Sequence, residues 1–286
     1  MSDVAKAGRA GRGVRWDFSG EAVLVTGGAR GQGRSHAMAF ARAGADVAIC
    51  DVAAPVEALD YPLSGEEELE QTAEDIRDLG VRCLSYPVDV RDEPAVARMV
   101  EDVVAQFGRL DVLVNNAGVN AIHEATEMPL EVWRTVIDID LSGVYHCSRH
   151  AARAMRERGG GRIVSTGSAN STLTMPHNAA YTAAKHGVFG LTKALAVDLA
   201  PYGIRVNMVA PGLVNTALLA CAEAPHVPED YFERLLKVGG QVSLFHEEPQ
   251  GVEPEEITEA VLWLASDSAR FVTGASISVD CGFAIT

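Results

Sequence analysis

The chain lacks the features that would place it in several common protein classes. Its longest apolar stretches, such as residues 22–25 and 194–197, fall far short of the ~20 residues needed to cross a bilayer. Residues 1–15 lack the apolar run of a secretory signal, so a cytoplasmic protein with no membrane partner is expected. Cysteine is scarce and unpatterned: Cys50, Cys83, Cys147, Cys221 and Cys281 are odd in number, scattered and never spaced Cys-x-x-Cys. Neither a disulfide framework nor a structural zinc site is suggested, which leaves reduced, mostly buried thiols. Positive charge is also short. With 24 Lys and Arg against 39 Asp and Glu, the net charge is -15, and a phosphate backbone would be repelled over most of the surface, so nucleic acid is not an expected partner. The exception is the Gly/Ala-rich tail of residues 1–15, made basic by Lys6, Arg9, Arg12 and Arg15, which reads as disordered. Eight histidines show no metal-ligand pattern. His146 and His150 stand four apart on a predicted helix without a carboxylate or cysteine at ligand spacing, and read as a packed or surface pair.

What is present is enough apolar material, 48% of 286 residues, to bury a large core. One domain is expected over residues 16–286. Strand-like and helix-like segments alternate from Glu21 to Asp280, the pattern of an α/β fold: a Rossmann-type, doubly wound parallel sheet of about seven strands with helices on both faces. Buried parallel strands read as short continuous apolar runs, as at residues 22–26, 47–50, 110–114, 162–165, 205–209 and 276–279. Helices are predicted over 35–42, 66–78, 94–107, 130–157, 179–200 and 254–265 from apolar residues at three- and four-residue intervals. Two stretches break the rhythm, 52–65 after the second strand and 213–251 before the last helix, and long excursions of this kind are where ligand contacts are expected.

Thr26-Gly27-Gly28-Ala29-Arg30-Gly31-Gln32-Gly33 follows the first strand and opens the first helix, the context of a dinucleotide-binding loop. Gly27 permits the tight turn, and Gly31 and Gly33 let backbone and helix approach a pyrophosphate held at the helix N-terminus. Asp51 ends the second strand 18 residues after Gly33, where a carboxylate accepts hydrogen bonds from the adenosine ribose and repels a 2′-phosphate. Arg30 is the counter-indication, since it could pair with that phosphate. NAD is favoured over NADP. Asp89-Val90 and Asn115-Asn116-Ala117-Gly118 close the third and fourth strands at the carboxyl end of the sheet, where ligands of open α/β folds lie.

Tyr181 and Lys185 stand four residues apart on one predicted helix face, and Ser168 lies thirteen residues upstream of the tyrosine at a strand end. A lysine there favours phenolate and pulls the tyrosine below its ordinary pKa near ~10, which suits it to exchange a proton with a carbonyl oxygen.

These motifs together resemble the short-chain dehydrogenase/reductase family, from about Trp16 to the C-terminus, and the Thr-Gly-x-x-x-Gly-x-Gly spacing is similar to that of its simple oxidoreductases. The resemblance implies that Tyr181 is the general acid/base, that Ser168 hydrogen-bonds the substrate oxygen, and that Lys185 tunes Tyr181 and grips the nicotinamide ribose. It implies that Asp89 approaches the adenine, that Asn116, Ala117 and Gly118 support the sheet beside the cofactor, and that Pro211 and Gly212 with Thr216 hold the nicotinamide carboxamide. Gln32, Val52, Val90 and Val214 join the expected cofactor set. One position departs from the family: the usual Asn-Leu-x-Gly is Asp140-Leu141-Ser142-Gly143. Asp140 accepts hydrogen bonds but does not donate when ionised, and its charge partly cancels the pull of Lys185 on Tyr181, so an activity optimum at higher pH is expected.

Residues 52–65, with the 31–36 segment, also resemble actinobacterial carveol-dehydrogenase-like members, some of which are mycofactocin-associated and hold NAD without exchange. This insertion is expected to fold over the adenosine half of the cofactor. Substrate contacts are expected from Ala169, Asn170, Leu173 and His177, from His123, and from Leu213 and the region to Phe245. Apolar Leu173, Leu213, Leu218, Leu219 and Phe245 point to a hydrophobic, alicyclic or terpenoid, secondary alcohol or its ketone. The family's four-helix contact through 130–157 and 179–200 implies a homotetramer. Two alternatives remain open: an NAD-binding sensor that has lost catalysis, motivated by Asp140, and a lyase or epimerase using the same tyrosine, which the glycine spacing disfavours.

Overall fold

The computed structural model describes residues 14–224, 226–228, 230–239, 244 and 251–285. The first thirteen residues of the basic tail and Phe245 lie outside these. Seven strands, β1 Ala22–Thr26, β2 Asp46–Asp51, β3 Cys83–Pro87, β4 Val112–Asn115, β5 Gly161–Thr166, β6 Ile204–Pro211 and β7 Ser276–Val279, form one parallel sheet in the order β3-β2-β1-β4-β5-β6-β7. Successive side chains of β1 enter opposite cores. Ala22 and Leu24 join the core beneath α3 (Glu93–Phe107), α5 (Gly143–Arg158) and α6 (Ala179–Leu199), while Val23 and Val25 join the core beneath α1 (Gly31–Arg42), α2 (Glu66–Arg77) and α8 (Pro254–Ala265). Burial on both faces is why the strand reads as a continuous apolar run. β1 pairs with β2 on one side and β4 on the other, so the chain reverses its direction of winding there, and a crevice opens at the carboxyl ends. Among the described residues no helix is long and apolar enough to cross a membrane.

Local signals set several boundaries. Asp92 caps α3 by accepting a hydrogen bond from the Ala95 N–H at 3.0 Å, Pro94 sits in its first turn, and Gly108 ends it at φ 77°. Other boundaries differ from expectation. The predicted helix over 130–157 is interrupted: α4 (Leu130–Ile137) passes through a π-helical turn, Asp138–Ser142, into α5. The turn carries Asp140 inward, where its carboxylate is fully buried between the Val119 N–H and Lys185, and an i, i+4 pattern does not reveal an inserted π turn. β3 ends at Pro87, before Asp89-Val90, with a last interstrand bond from the Val88 N–H to the Asp51 carbonyl at 2.9 Å. The excursion over 213–251 carries a 3-10 segment, Ala217–Glu223, and α7 (Tyr231–Gly239).

Candidate active site

Two cavities open at the carboxyl ends of the strands. The first, of about 150 Å³, lies between the glycine loop, the ends of β2 and β3, and the insertion. Gly27, Arg30, Gly31 and Gln32 form its floor; Asp51, Val52, Asp89 and Val90 form one side; Asn116, Ala117, Gly118 and Thr216 form the other. Gly27 adopts φ 64°, and a Cβ on it would lie 2.8 Å from the Ala117 Cα, while a Cβ on Gly33 would overlap the Gly27 carbonyl. Asn116 closes this cradle, donating from Nδ2 to the carbonyls of Thr26 and Gly27 at 3.1 Å each. The fit to a dinucleotide is good: backbone approaches closely, α1 presents its N-terminus, and the buried Gln32 Oε1 has no partner.

The insertion is stitched to this cavity by short polar contacts. Ser64 Oγ donates to Asp51 Oδ1 at 2.6 Å, the Ala29 N–H donates to Asp51 Oδ2 at 3.1 Å, and Arg30 donates to the Pro62 carbonyl at 2.6 Å. Arg30 also lies 4.0 Å from Glu68. Its guanidinium is thus committed to the insertion and its neighbour α2. Val56, Tyr61 and Leu63 complete the wall, and the Tyr61 hydroxyl accepts a hydrogen bond from the Asn120 N–H at 3.0 Å. Asp89 is held by Arg91, whose Nη2 lies 2.6 Å from Oδ2.

The second cavity, about 330 Å³, adjoins the first along Gln32, Asn116, Gly118 and Thr216. Ser168, at the end of β5, and Tyr181 and Lys185, one turn apart on α6, all face it. The Ser168 hydroxyl accepts from the Asn170 N–H at 3.1 Å and lies close enough to Tyr181 to favour its phenolate. Lys185 Nζ lies 5.4 Å from the Tyr181 ring centroid, donates to the Thr166 carbonyl at 3.0 Å and pairs with Asp140 Oδ2 at 3.1 Å. A Cβ on Gly118 would crowd that pair, reaching 3.0 Å from Asp140 Oδ2.

Desolvation pushes the Tyr181 pKa above its usual value; Lys185 pulls it down, Asp140 pushes it up, and Ser168 pulls it down. The lysine therefore acts in the expected direction, but the net shift is upward because burial outweighs it. Burial opposes the charge on Lys185, yet Asp140 and Tyr181 together hold its pKa above the ordinary lysine value. Asp140 is itself raised by burial, against the pull of Lys185 and the Val119 N–H.

Of the other expected residues, Asn170, Pro211, Gly212, Leu213 and Val214 line the second cavity, and Leu218 and Leu219 do so from the 3-10 segment. Leu173 and His177 are not among its lining residues. His177 instead sits at φ 59°, and its carbonyl accepts the His123 N–H at 2.9 Å. Asn120, Ile122, Met175, Cys221, Tyr231 and Phe283 line the cavity without having been anticipated. Cys221 and Tyr231 come from the 213–251 excursion, which its length signals; Asn120, Ile122, Met175 and Phe283 come from segments whose approach is set by tertiary packing, with no such signal. Desolvation lifts the Cys221 thiol to about 11, which leaves it protonated at neutral pH.

His123, expected to touch substrate, lines neither cavity; with His226 and Asp60 it borders a separate small one, the three donor atoms within 4.8 Å of one another. The two imidazoles stack with centroids 3.8 Å apart and planes inclined by 11°, so their in-plane lone pairs run side by side and do not converge on one ion. His226 uses both nitrogens on protein: Nδ1 lies 3.1 Å from Asp60 Oδ2, and Nε2 lies 2.9 Å from the Ile122 carbonyl. His146 and His150 likewise turn apart, to the Val90 carbonyl and to Glu93.

Residues 27–284 match the family model described as enoyl-(acyl carrier protein) reductase. The chain is 39% identical to an uncharacterized NAD-dependent oxidoreductase of Mycobacterium tuberculosis, across 92% of this chain and 95% of that one. It is 37% identical to (-)-trans-carveol dehydrogenase of Rhodococcus erythropolis, across 92% and 97%. The crystal structure of carveol dehydrogenase from Mycobacterium avium in complex with NAD superimposes with a TM-score of 0.85 at 38% identity, covering 95% of this chain and all of that one. With a glycine loop at the switch point of a seven-stranded parallel sheet and these relatives over nearly its whole length, the chain belongs to the short-chain dehydrogenase/reductase family.

Proposed function

We propose that this chain, an NAD-dependent oxidoreductase of the short-chain type, interconverts a secondary alcohol and its ketone at Tyr181. The observation that carries this reading is the meeting of the two cavities: the wall shared by Gln32, Asn116, Gly118 and Thr216 leads from the dinucleotide cradle directly to Tyr181, Ser168 and Lys185. Bound NAD supplies the hydride acceptor for alcohol oxidation, and its reduced form the donor for ketone reduction. Tyr181 Oη takes the carbinol proton in one direction and returns it in the other. Ser168 Oγ hydrogen-bonds the same substrate oxygen, and Lys185 biases Tyr181 toward phenolate and would hold the nicotinamide ribose when NAD is bound. Asp140 positions Lys185 and moderates its effect.

Asp51 favours NAD, because its carboxylate accepts from ribose hydroxyls and repels a 2′-phosphate, and Arg30 is already engaged with Pro62. Asp89 and Val90 lie on the adenine side, and Pro211, Gly212, Val214 and Thr216 are assigned to the nicotinamide end. The insertion, held by Ser64 and Tyr61, covers the adenosine half and slows NAD release. Ile122, Met175, Leu213, Leu218 and Leu219 give the substrate cavity a mainly apolar wall, which suits an alicyclic or terpenoid carbon skeleton. Exposed Leu130, Trp133 and Tyr145 on α4 and α5 support a homotetramer built on these helices. A second reading, a nucleotide sensor without turnover, draws on the buried Asp140 and the raised Tyr181.

Absorbance at the reduced-nicotinamide band with a panel of cyclic alcohols tests the proposal, and sedimentation tests the tetramer. NADH formation lost in Tyr181→Phe is the expected result. NAD binding without turnover supports the sensor, and substrate conversion without net NADH supports a lyase or epimerase.

A further inference from the structure

Besides Gln32 Oε1, on the wall shared with the dinucleotide cavity, the substrate cavity holds two carbonyl acceptors that the protein leaves unused. Asn170 is buried, 1% exposed, and its Oδ1 has no hydrogen-bond partner, while its Nδ2 reaches Thr182 Oγ1 at 3.4 Å. Its own N–H donates to Ser168 Oγ at 3.1 Å, which fixes the residue next to the catalytic serine. Asn120 is tied down through its backbone: its N–H donates to the Tyr61 hydroxyl at 3.0 Å. Its Oδ1 is buried and also without a partner. Both residues line the cavity that contains Tyr181. Buried carbonyl oxygens in a mainly apolar wall are strongly selected to find a donor, and here the protein offers none. Neither amide serves the proton transfer assigned to Tyr181, nor does either line the dinucleotide cavity.

We infer that the substrate carries a second hydrogen-bond donor, a hydroxyl other than the one oxidised, which the side-chain oxygens of Asn170 and Asn120 accept. The inference rests on the dehydrogenase reading and narrows its substrate class, from any apolar secondary alcohol to a hydroxylated one such as a cyclic diol. The apolar wall grips the carbon skeleton, and the two amides select for the extra hydroxyl. A site built to bond a hydroxyl discriminates against an analogue lacking it, because binding the analogue leaves the amides desolvated and unpaired.

The test compares cyclohexanol, the cis and trans 1,2-, 1,3- and 1,4-cyclohexanediols, and the monomethyl ether of the best diol, with NAD and wild-type enzyme. The ether keeps the second oxygen and removes its donor. At least one diol is expected to exceed both cyclohexanol and the ether in kcat/KM by about ten- to a hundredfold. Asn170→Leu and Asn120→Leu, checked for folding by retained NAD binding, are expected to reduce that ratio at least severalfold each. Ratios within threefold of one for every diol, or an ether as good as its diol, overturn the inference while leaving the dehydrogenase reading intact. If no alcohol yields NADH, the dehydrogenase reading fails. The same ratios are then read as binding to the NADH complex by calorimetry, where equal binding of mono-ol and diol overturns the inference and preferred binding of a diol upholds donor recognition.

Discussion

The two halves of the cleft are built on different principles. The half assigned here to the adenosine comes from turns that directly follow β1, β2 and β3, and its polar groups meet near the surface: Asp51 with Ser64, Arg30 with Pro62 and Glu68, Asp89 with Arg91. The substrate half gathers residues from distant segments, from Asn116 to Phe283, around a charged pair that is removed from solvent, with Asp140 0% and Lys185 3% exposed. Solvent-screened contacts tolerate loss, whereas a buried pair does not. Substitutions should therefore change binding modestly in the first half, and change chemistry and stability severely in the second.

The largest effect is expected from removing the buried ammonium. Lys185→Met leaves Asp140 buried without its partner, and should lower unfolding free energy by about 3–5 kcal/mol in denaturant titrations, with activity lost. The double variant Lys185→Met/Asp140→Asn should recover part of that stability and none of the activity. An equal loss in both would show that the pair does not behave as a unit.

Next is Asp51→Ala in the adenosine half, expected to lower the NAD to NADP ratio of kcat/KM by about ten- to a hundredfold through loss of ribose bonds and phosphate repulsion. The unfolding midpoint should move little. If Asp51→Ala proves as destabilising as Lys185→Met, the contrast between the halves fails.

The pH profile sharpens it further. Asp140 raises the Tyr181 pKa, so replacing its charge by Asp140→Asn lowers that pKa. Alcohol oxidation needs the phenolate and rises with pH through the Tyr181 pKa. The rising limb of kcat/KM should therefore sit at lower pH in Asp140→Asn, by about one pH unit. Coincident profiles would remove Asp140 from the tuning of the site. The smallest effect belongs to Tyr61→Phe, which loses one hydrogen bond to the Asn120 N–H. NADH release followed by fluorescence should quicken severalfold.

How legible each half was in the sequence follows the same division. Gly27, Gly33 and Asp51 were readable because their roles are set by backbone geometry at fixed distances from a strand end, and local spacing records that geometry. Tyr181 and Lys185 were readable for the same reason, being one helical turn apart. The π turn that buries Asp140 was not, since the groups that meet its carboxylate there, Lys185 and the Val119 N–H, are distant in sequence. Leu173 and His177 were expected at the cavity from their nearness in sequence to Ser168, but the chain turns there and Met175 and Asn178 face the space instead. Asn120, Cys221 and Tyr231 meet only when the 217–239 segment folds over the sheet, and no periodic signal encodes that approach. The raised Tyr181 has the same origin, because desolvation is a property of the assembled cavity.

The account stands on Tyr181 as the group that exchanges a proton with the substrate. The most direct measurement is a single-turnover experiment in which wild type and Tyr181→Phe, each saturated with NAD to the same measured occupancy, are mixed with the best alcohol of the panel. The expected result is NADH formation slowed by about 10²- to 10⁴-fold in the variant with NAD affinity unchanged. NADH formation at the wild-type rate in Tyr181→Phe would contradict it.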